Sequence, residues 1–328
     1  MLIIGHRGAC GYRPEHTRSA YELAISQGAD ALEPDLVSTA DGVLVIRHEN
    51  EISGTTDVAS HPEFAARRTT KVIDGVSYTG WFVEDFTWPE LATLRCRERL
   101  PSLRVSNTEF DGTEPILRFV DLLELVSLSD RDVSLVVEMK HATYFDGLGL
   151  QLDALFAREL FVSGWLPNDP RLIIESFEKT ILVRMIEAGL GASHVYLLSY
   201  GETAWDEIVW AQSEGVPSIS YDEELSDAGL DAFAGRLSGL SLDARYLVDP
   251  ASGDSTDGAA LVQRIHDRGL QVFSYTLRPE NCFLPVAFRK GLDEGEWGNW
   301  EGAYQALYAT GVDAVFADHP DLAVRARP

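Results

Sequence analysis

Positive charge is scarce in this chain, cysteine is nearly absent, and no apolar run is long. Lys and Arg number 27 against 52 Asp and Glu, a formal net charge of −25. That balance excludes a general nucleic-acid binder, and with no basic amphipathic stretch no stable membrane association is expected, because polyanions and anionic bilayers demand a cationic face. An acidic chain that binds an anion must therefore do so through a local cationic site. The three cysteines, Cys10, Cys96 and Cys282, are widely spaced and make no metal-ligand pair. Cys10 is near His6 in sequence but is read as small buried filler, since nothing marks an activated thiolate. No run approaches the ~20 apolar residues of a membrane span. The chain starts in a strand-like apolar run with no charged leader region, so a cytoplasmic location is expected.

What is present is an ordinary apolar fraction of 45%, enough for a sizeable core. Strand-like and helix-like segments alternate along the chain, the pattern of a parallel sheet built from βα units. Strands are expected at 2–5, 31–36, 133–138, 171–175, 194–198, 237–242, 270–275 and 314–317. Helices are expected between them, including 19–27, 116–126, 148–161, 179–187 and 261–267. Eight such units predict a (β/α)8 TIM barrel, an α/β fold that routinely exceeds 200 residues as one unit, so 1–328 reads as a single catalytic domain. A doubly wound open sheet is the structural alternative, but no Gly-rich dinucleotide loop supports it.

Residues 52–115 break the alternation, after the second strand region. A structureless loop of that length is improbable, so an insertion subdomain is expected there, with Trp81, Phe82, Phe86 and Trp88 packing it rather than touching substrate. A second insertion, 280–308, carries Trp297 and Trp300. Either would narrow the barrel mouth.

The chemistry concentrates at the start of the chain. Ile3-Ile4-Gly5 suits a buried strand, and His6 and Arg7 sit where it opens into a loop, a titratable ring beside a guanidinium fork suited to phosphate. Glu33 and Asp35, two apart on the next strand, point to one face and repel unless a cation lies between them. Pro34 between them donates no ladder hydrogen bond, which places the pair near the strand's end. Val43 to Ile46 is another apolar run that delivers His48 to its exit. A lone His-Arg-Gly is usually a solvated turn, and a lone Glu-x-Asp an exposed strand face. It is the order and spacing of the whole set that carry meaning.

His6-Arg7-Gly8, Pro14-Glu15-His16-Thr17, Glu33-Pro34-Asp35 and His48 together resemble the glycerophosphodiester phosphodiesterase family, on its bacterial branch acting on deacylated phospholipids. The resemblance runs on through Glu138-Met139-Lys140, Ser176-Phe177, Tyr275-Thr276-Leu277-Arg278 and Ala317-Asp318-His319-Pro320. It implies metal-dependent hydrolysis of a small-molecule glycerophosphodiester to sn-glycerol 3-phosphate and an alcohol. It implies Glu33, Asp35 and Glu138 as ligands of one divalent cation, Ca²⁺ or Mg²⁺, which suits all-oxygen ligation. His6 and His48 would share acid and base roles, Arg7 and Lys140 would clamp phosphate, Phe177 and Tyr275 would wall the glycerol, and Glu15 would support Arg7. The internal hydroxyl of glycerol and a water are alternative nucleophiles. Two residues depart from the family pattern: Glu49 where Asp is usual after the second histidine, and Glu175 where a neutral residue precedes Ser176. A related lipid-cleaving barrel enzyme, or a barrel that only binds phosphate ligands, are the other readings of this set.

Overall fold

Runs such as Leu135-Val136-Val137 and Leu172-Ile173-Ile174 bury side chains on both faces, as strands covered on both sides must. The computed structural model describes residues 1–328. Its strands in chain order are β1 (Leu2–His6), β2 (Ala31–Glu33), β3 (Asp35–Ser38), β4 (Leu44–Ile46), β5 (Thr69–Ile73), β6 (Val76–Gly80), β7 (Ser134–Met139), β8 (Leu172–Ser176), β9 (Ser193–Leu198), β10 (Gly239–Asp243), β11 (Gln271–Leu277) and β12 (Ala314–Ala317). Eight of these are parallel neighbours in the order β2-β1-β12-β11-β10-β9-β8-β7, and pairing of β2 with β7 closes the ring. The expected eight-stranded barrel is the fold. Ile4, Val136, Ile173, Val195, Phe273 and Phe316 fill the barrel interior, while a larger apolar core lies between the strands and the surrounding helices. No helix is long and apolar enough to cross a membrane.

The second strand departs from a single run. Pro34 splits it into β2, which completes the barrel, and β3, which pairs parallel to β7 and antiparallel to β4. The expected helix at 148–161 is Leu152–Val162, starting later than expected because Gly149 takes a left-handed φ of 73°, and a separate short helix, Ala142–Gly147, precedes it. Much of the 280–308 segment is not an insertion: its last part is the helix Trp300–Tyr308, which precedes β12 as a barrel helix does.

Residues 52–115 hold the antiparallel hairpin β5–β6 among short helical turns. Asp74 and Gly75 turn the hairpin, both with positive φ (48° and 78°), the backbone that a two-residue hairpin turn requires and that Asp-Gly readily adopts. Trp81, Phe82 and Phe86 are buried, and the Trp81 indole donates to the Phe64 carbonyl at 2.7 Å. Val58, Phe64, Trp81 and Leu94 are continuous with the barrel's outer core. The aromatics are therefore packing groups, as expected.

Candidate active site at the barrel mouth

Register places the chemistry. His6 on β1 lies beside Glu33 on β2, and Asp35 on β3 beside Glu138 on β7, which in turn lies beside Glu175 on β8. His6, Glu33, Glu138 and Glu175 are at the C-terminal ends of their strands, and Asp35 opens β3 just past the end of β2, at the barrel face where the loops build active sites. Directly after β1, Arg7 and Gly8 take left-handed backbone (φ 55° and 82°), and a Cβ on Gly8 would meet the Ala20 backbone at 2.6 Å. The turn therefore depends on glycine to seat against the helix Arg18–Ser26, whose first turn is capped by the Thr17 side chain.

Glu33, Asp35 and Glu138 offer oxygens that all lie within 4.8 Å of one another, and all three residues are buried. Burial and the charge of Asp35 push Glu33 well above the ordinary carboxylate range. Burial first, with Asp35 adding to it, pushes Glu138 up to about 8 despite Lys140, whose Nζ is 2.8 Å away. Asp35 is instead held low: Lys140, His48 and His16 outweigh its burial. Its Oδ1 nevertheless has no hydrogen-bond partner. An orphaned carboxylate oxygen within an all-oxygen, negatively crowded set fits a hard divalent cation. Glu175 is a fourth buried carboxylate at this point, its Oε2 unpartnered and its pKa raised by burial, Glu138 and Asp35.

The two histidines are supported alike. Nδ1 of His6 is 2.6 Å from Asp318 Oδ1, and Nδ1 of His48 is 2.5 Å from Glu49 Oε1. With Nδ1 donating to a carboxylate, Nε2 is left as the basic nitrogen. Burial and Arg7 pull His6 down to about 4, against Asp318; burial, Arg7 and Lys140 pull His48 down to about 3, against Glu49 and Asp35. Both rings are neutral near pH 7 in the substrate-free protein. The Glu49 departure thus keeps the support, since the longer side chain reaches the ring.

Arginines stand behind both carboxylates. Arg99 Nη2 is 2.5 Å from Glu49 Oε2 and 2.6 Å from Glu15 Oε1, while Arg104 Nη2 is 2.5 Å and Arg278 Nε 2.9 Å from Asp318 Oδ2. Arg99 and Arg104 come from the 52–115 insertion, whose contribution to the site is to clamp the groups that hold the histidines. Sequence reasoning did not find these two, nor Asp318. His16, named in the sequence only as part of the Pro-Glu-His-Thr motif and given no role there, bridges Tyr21 and Asp35 through its two ring nitrogens at 2.8 Å each. Its place inside the Pro-Glu-His-Thr motif was the available signal.

The remaining expected residues also gather here. Arg7 reaches Glu15 at 3.0 Å and Asp35 at 3.5 Å, and its backbone N–H donates to Glu33 at 2.6 Å. Lys140 Nζ lies 5.6 Å from the Phe177 ring centre, and Tyr275 meets Phe177 edge-on at 5.8 Å while its hydroxyl donates to the Leu198 carbonyl. Cys10 is buried near His6 and Asp318, and burial pushes its thiol well up, which leaves no thiolate for nucleophilic attack.

A model of the glycerophosphoryl diester phosphodiesterase family matches residues 6–322. The chain belongs to this family. A glycerophosphodiester phosphodiesterase of Arabidopsis thaliana is 31% identical over 327 residues, covering 96% of this chain and 82% of the plant protein. One from Haemophilus influenzae is 25% identical over 346 residues, covering 98% and 88%. Among solved structures, an Oleispira antarctica phosphodiesterase in complex with its product sn-glycerol 3-phosphate has the same fold (TM-score 0.62, 21% identity, 99% of this chain and 96% of that one). So has a glycerophosphodiester phosphodiesterase from Agrobacterium tumefaciens (TM-score 0.60, 18% identity, 99% of each chain). Family membership makes the chain a phosphodiester hydrolase.

Proposed function

We propose that the chain hydrolyses glycerophosphodiesters to sn-glycerol 3-phosphate and a free alcohol, with one Ca²⁺ or Mg²⁺ held by Glu33, Asp35 and Glu138. The observation that carries this reading is the buried, mutually repelling carboxylate set flanked by two neutral, carboxylate-backed histidines. When bound, the cation supplies charge neutralisation and Lewis-acid polarisation at the phosphate. Arg7 and Lys140 add fixed positive charge for the phosphate oxygens, which matters because charge spreads onto them in the transition state. Phe177 and Tyr275 form apolar walls for the organic part of the substrate. Residues 1–328 act as one catalytic domain, in which the 52–115 insertion holds the site in shape.

One histidine accepts the proton of the attacking hydroxyl at Nε2 and the other returns a proton to the departing alkoxide. The first ring is ready as a base because it is neutral before substrate arrives. The second must gain its proton in the complex, where the anionic phosphate offsets the pull of Arg7. Attack by the hydroxyl adjacent to the phosphate-bearing carbon benefits from proximity and gives a cyclic phosphate, which water opens with the histidine roles reversed. A 2-deoxy analogue cleaved at a normal rate would replace that route by direct water attack.

The test is turnover of a glycerophosphodiester panel by the purified chain, read as sn-glycerol 3-phosphate released, before and after exhaustive chelation. Activity lost on chelation and restored by Ca²⁺ or Mg²⁺ is expected. Full activity in the chelated protein would contradict the reading.

A further inference from the structure

Two cavities open on the site, and they differ in size and charge. The one beside His6 measures about 20 Å³ and is lined by Arg7, Arg99, Arg104 and Arg278, room for roughly one water and no organic group. The other, about 340 Å³, begins at Glu138 and Lys140 and runs between the β5–β6 hairpin and the loops after β7, β8 and β9. It has no arginine in its lining. Resting on the phosphodiesterase reading above, we propose that this larger cavity receives the alcohol half of the diester and selects one that carries a positive charge, a primary or quaternary ammonium.

Asp74, Glu178 and Glu202 bring three carboxylates to the cavity wall. The Lys140 ammonium facing it is already engaged with Glu138 at 2.8 Å, and the His141 ring meets Asp74 at 2.5 Å. Glu178 is decisive, since it is only 4% exposed and lines the cavity. Its Oε2 is taken by the Thr143 backbone N–H and hydroxyl, while its Oε1 has no partner in the protein. That oxygen is left available to a cation or a donor that enters the cavity. Burial first, and then the nearby Asp74 and Asp206, push this carboxyl up to about 8, so in the substrate-free protein it largely holds its proton and becomes a carboxylate when a bound cation offsets the crowding. The side chain of Glu202 is exposed and makes no hydrogen bond, so its charge is free to act on a ligand.

The remaining wall mixes aliphatic, hydroxyl and aromatic side chains. Phe177, Trp205 and Tyr221 line the cavity, and ring faces attract ammonium groups, tertiary and quaternary ones included. Gly75 brings the hairpin turn against Trp205, where an added Cβ would lie 2.8 Å from the ring, so the insertion closes the cavity over this wall. Carboxylates combined with ring faces give an alkylammonium Coulombic and cation–π attraction, whereas a neutral polyol gains only hydrogen bonds and contact there.

The experiment compares kcat/KM of the metal-loaded full chain for glycerophosphocholine and glycerophosphoethanolamine with that for glycerophosphoglycerol, whose alcohol is neutral. The cationic diesters should be preferred by roughly 3- to 30-fold, the scale of a desolvated cation–π contact with charge support. Glu178→Gln and Glu202→Gln should each reduce that preference while leaving glycerophosphoglycerol turnover within about twofold. Glu178 also holds Thr143, so Glu202→Gln, whose side chain bonds nothing, keeps the test independent of folding. Equal or better cleavage of the neutral diester, or variants that lower both substrate classes alike, would overturn this inference and leave the phosphodiesterase reading intact. Cleavage of no diester at all would overturn both.

Discussion

The carboxylates at the barrel mouth, all buried except the half-buried Glu49, form two sets that the protein treats in opposite ways. Glu15, Glu49 and Asp318 each face arginine, and despite burial Arg99 and Arg7 hold Glu15 low, His48 and Arg99 hold Glu49 low, and Arg278 and Arg104 hold Asp318 low. Glu33, Glu138 and Glu175 mostly face other carboxylates, and burial with mutual repulsion pushes them up. Lys140 is the one nearby ammonium for that second set, and it also lies 4.0 Å from Asp35. The first set is electrically complete and serves to orient side chains. The second is short of positive charge, and this deficit is what assigns it to a cation from solution. A buried charge is tolerated only where it is paired, so pairing marks the first set as positioning groups, while Asp35, held low by Lys140, His48 and His16, joins the ligands through its unpartnered Oδ1.

The contrast breaks most sharply at the three proposed ligands. Glu33→Gln, Asp35→Asn and Glu138→Gln should each depress kcat by more than the roughly 10- to 100-fold cost of losing an outer-shell partner. The same changes should weaken metal affinity, measured by the metal concentration that gives half-maximal rate. His6→Ala and His48→Ala should lower kcat by roughly 10²-fold or more with circular dichroism unchanged. A bell-shaped pH–rate profile should flatten on one limb in each variant, and near-normal turnover in either would reassign its ring.

The paired set gives a smaller effect. Arg99→Ala should reduce kcat roughly 10-fold, because it frees Glu15 and Glu49 together and loosens His48. Without the guanidinium both carboxylates protonate at higher pH, so the acid limb of the rate profile should move upward. Arg99→Lys should restore part of the rate and part of that shift. A drop in rate with an unmoved acid limb would make Arg99 merely structural.

The two sets also oppose each other in stability. In metal-free protein Glu138 titrates at about 8 when folded against an ordinary 4.5. The folded state then holds a proton that the unfolded state releases, so this contribution is present below about pH 4.5 and lost as pH rises through about 8. Glu15 and Asp318, held low, contribute in the reverse sense, their stability being lost as pH falls below the ordinary carboxylate range. Tm of the chelated protein should therefore fall from weakly acidic to weakly alkaline pH. Saturating Ca²⁺ or Mg²⁺ should flatten the slope, and a flat profile without metal would deny the crowding.

The smallest effect is expected far from the ligands. Gly75→Ala forces a side chain into a left-handed turn and against Trp205, and should cost about 1 kcal/mol in denaturant unfolding. It should leave the metal requirement unchanged.

What could be read from the sequence follows from what each signal depends on. The eight barrel strands stood out because strands covered on both faces are short, apolar and separated by helical periodicity. The ligands and histidines stood out because each is at a strand exit within a short ordered motif. Arg99 and Arg104 were invisible, since their partners lie 84 and 214 residues away and a lone arginine in an aperiodic segment resembles any surface charge. The Asp74-Gly75 turn was readable and was passed over, because the neighbouring aromatics drew the segment toward a packing interpretation. His16 was set aside because the residue it orients, Asp35, is on another element.

The most direct test of the metal assignment is calorimetric titration of Ca²⁺ and Mg²⁺ into the chelated full chain, beside the same titration of Glu33→Gln and Glu138→Gln. One ion bound per chain, with binding lost or strongly weakened in both variants, is the predicted result. No binding to the parent chain, or unchanged binding in both variants, would contradict the assignment of the buried carboxylates to a metal.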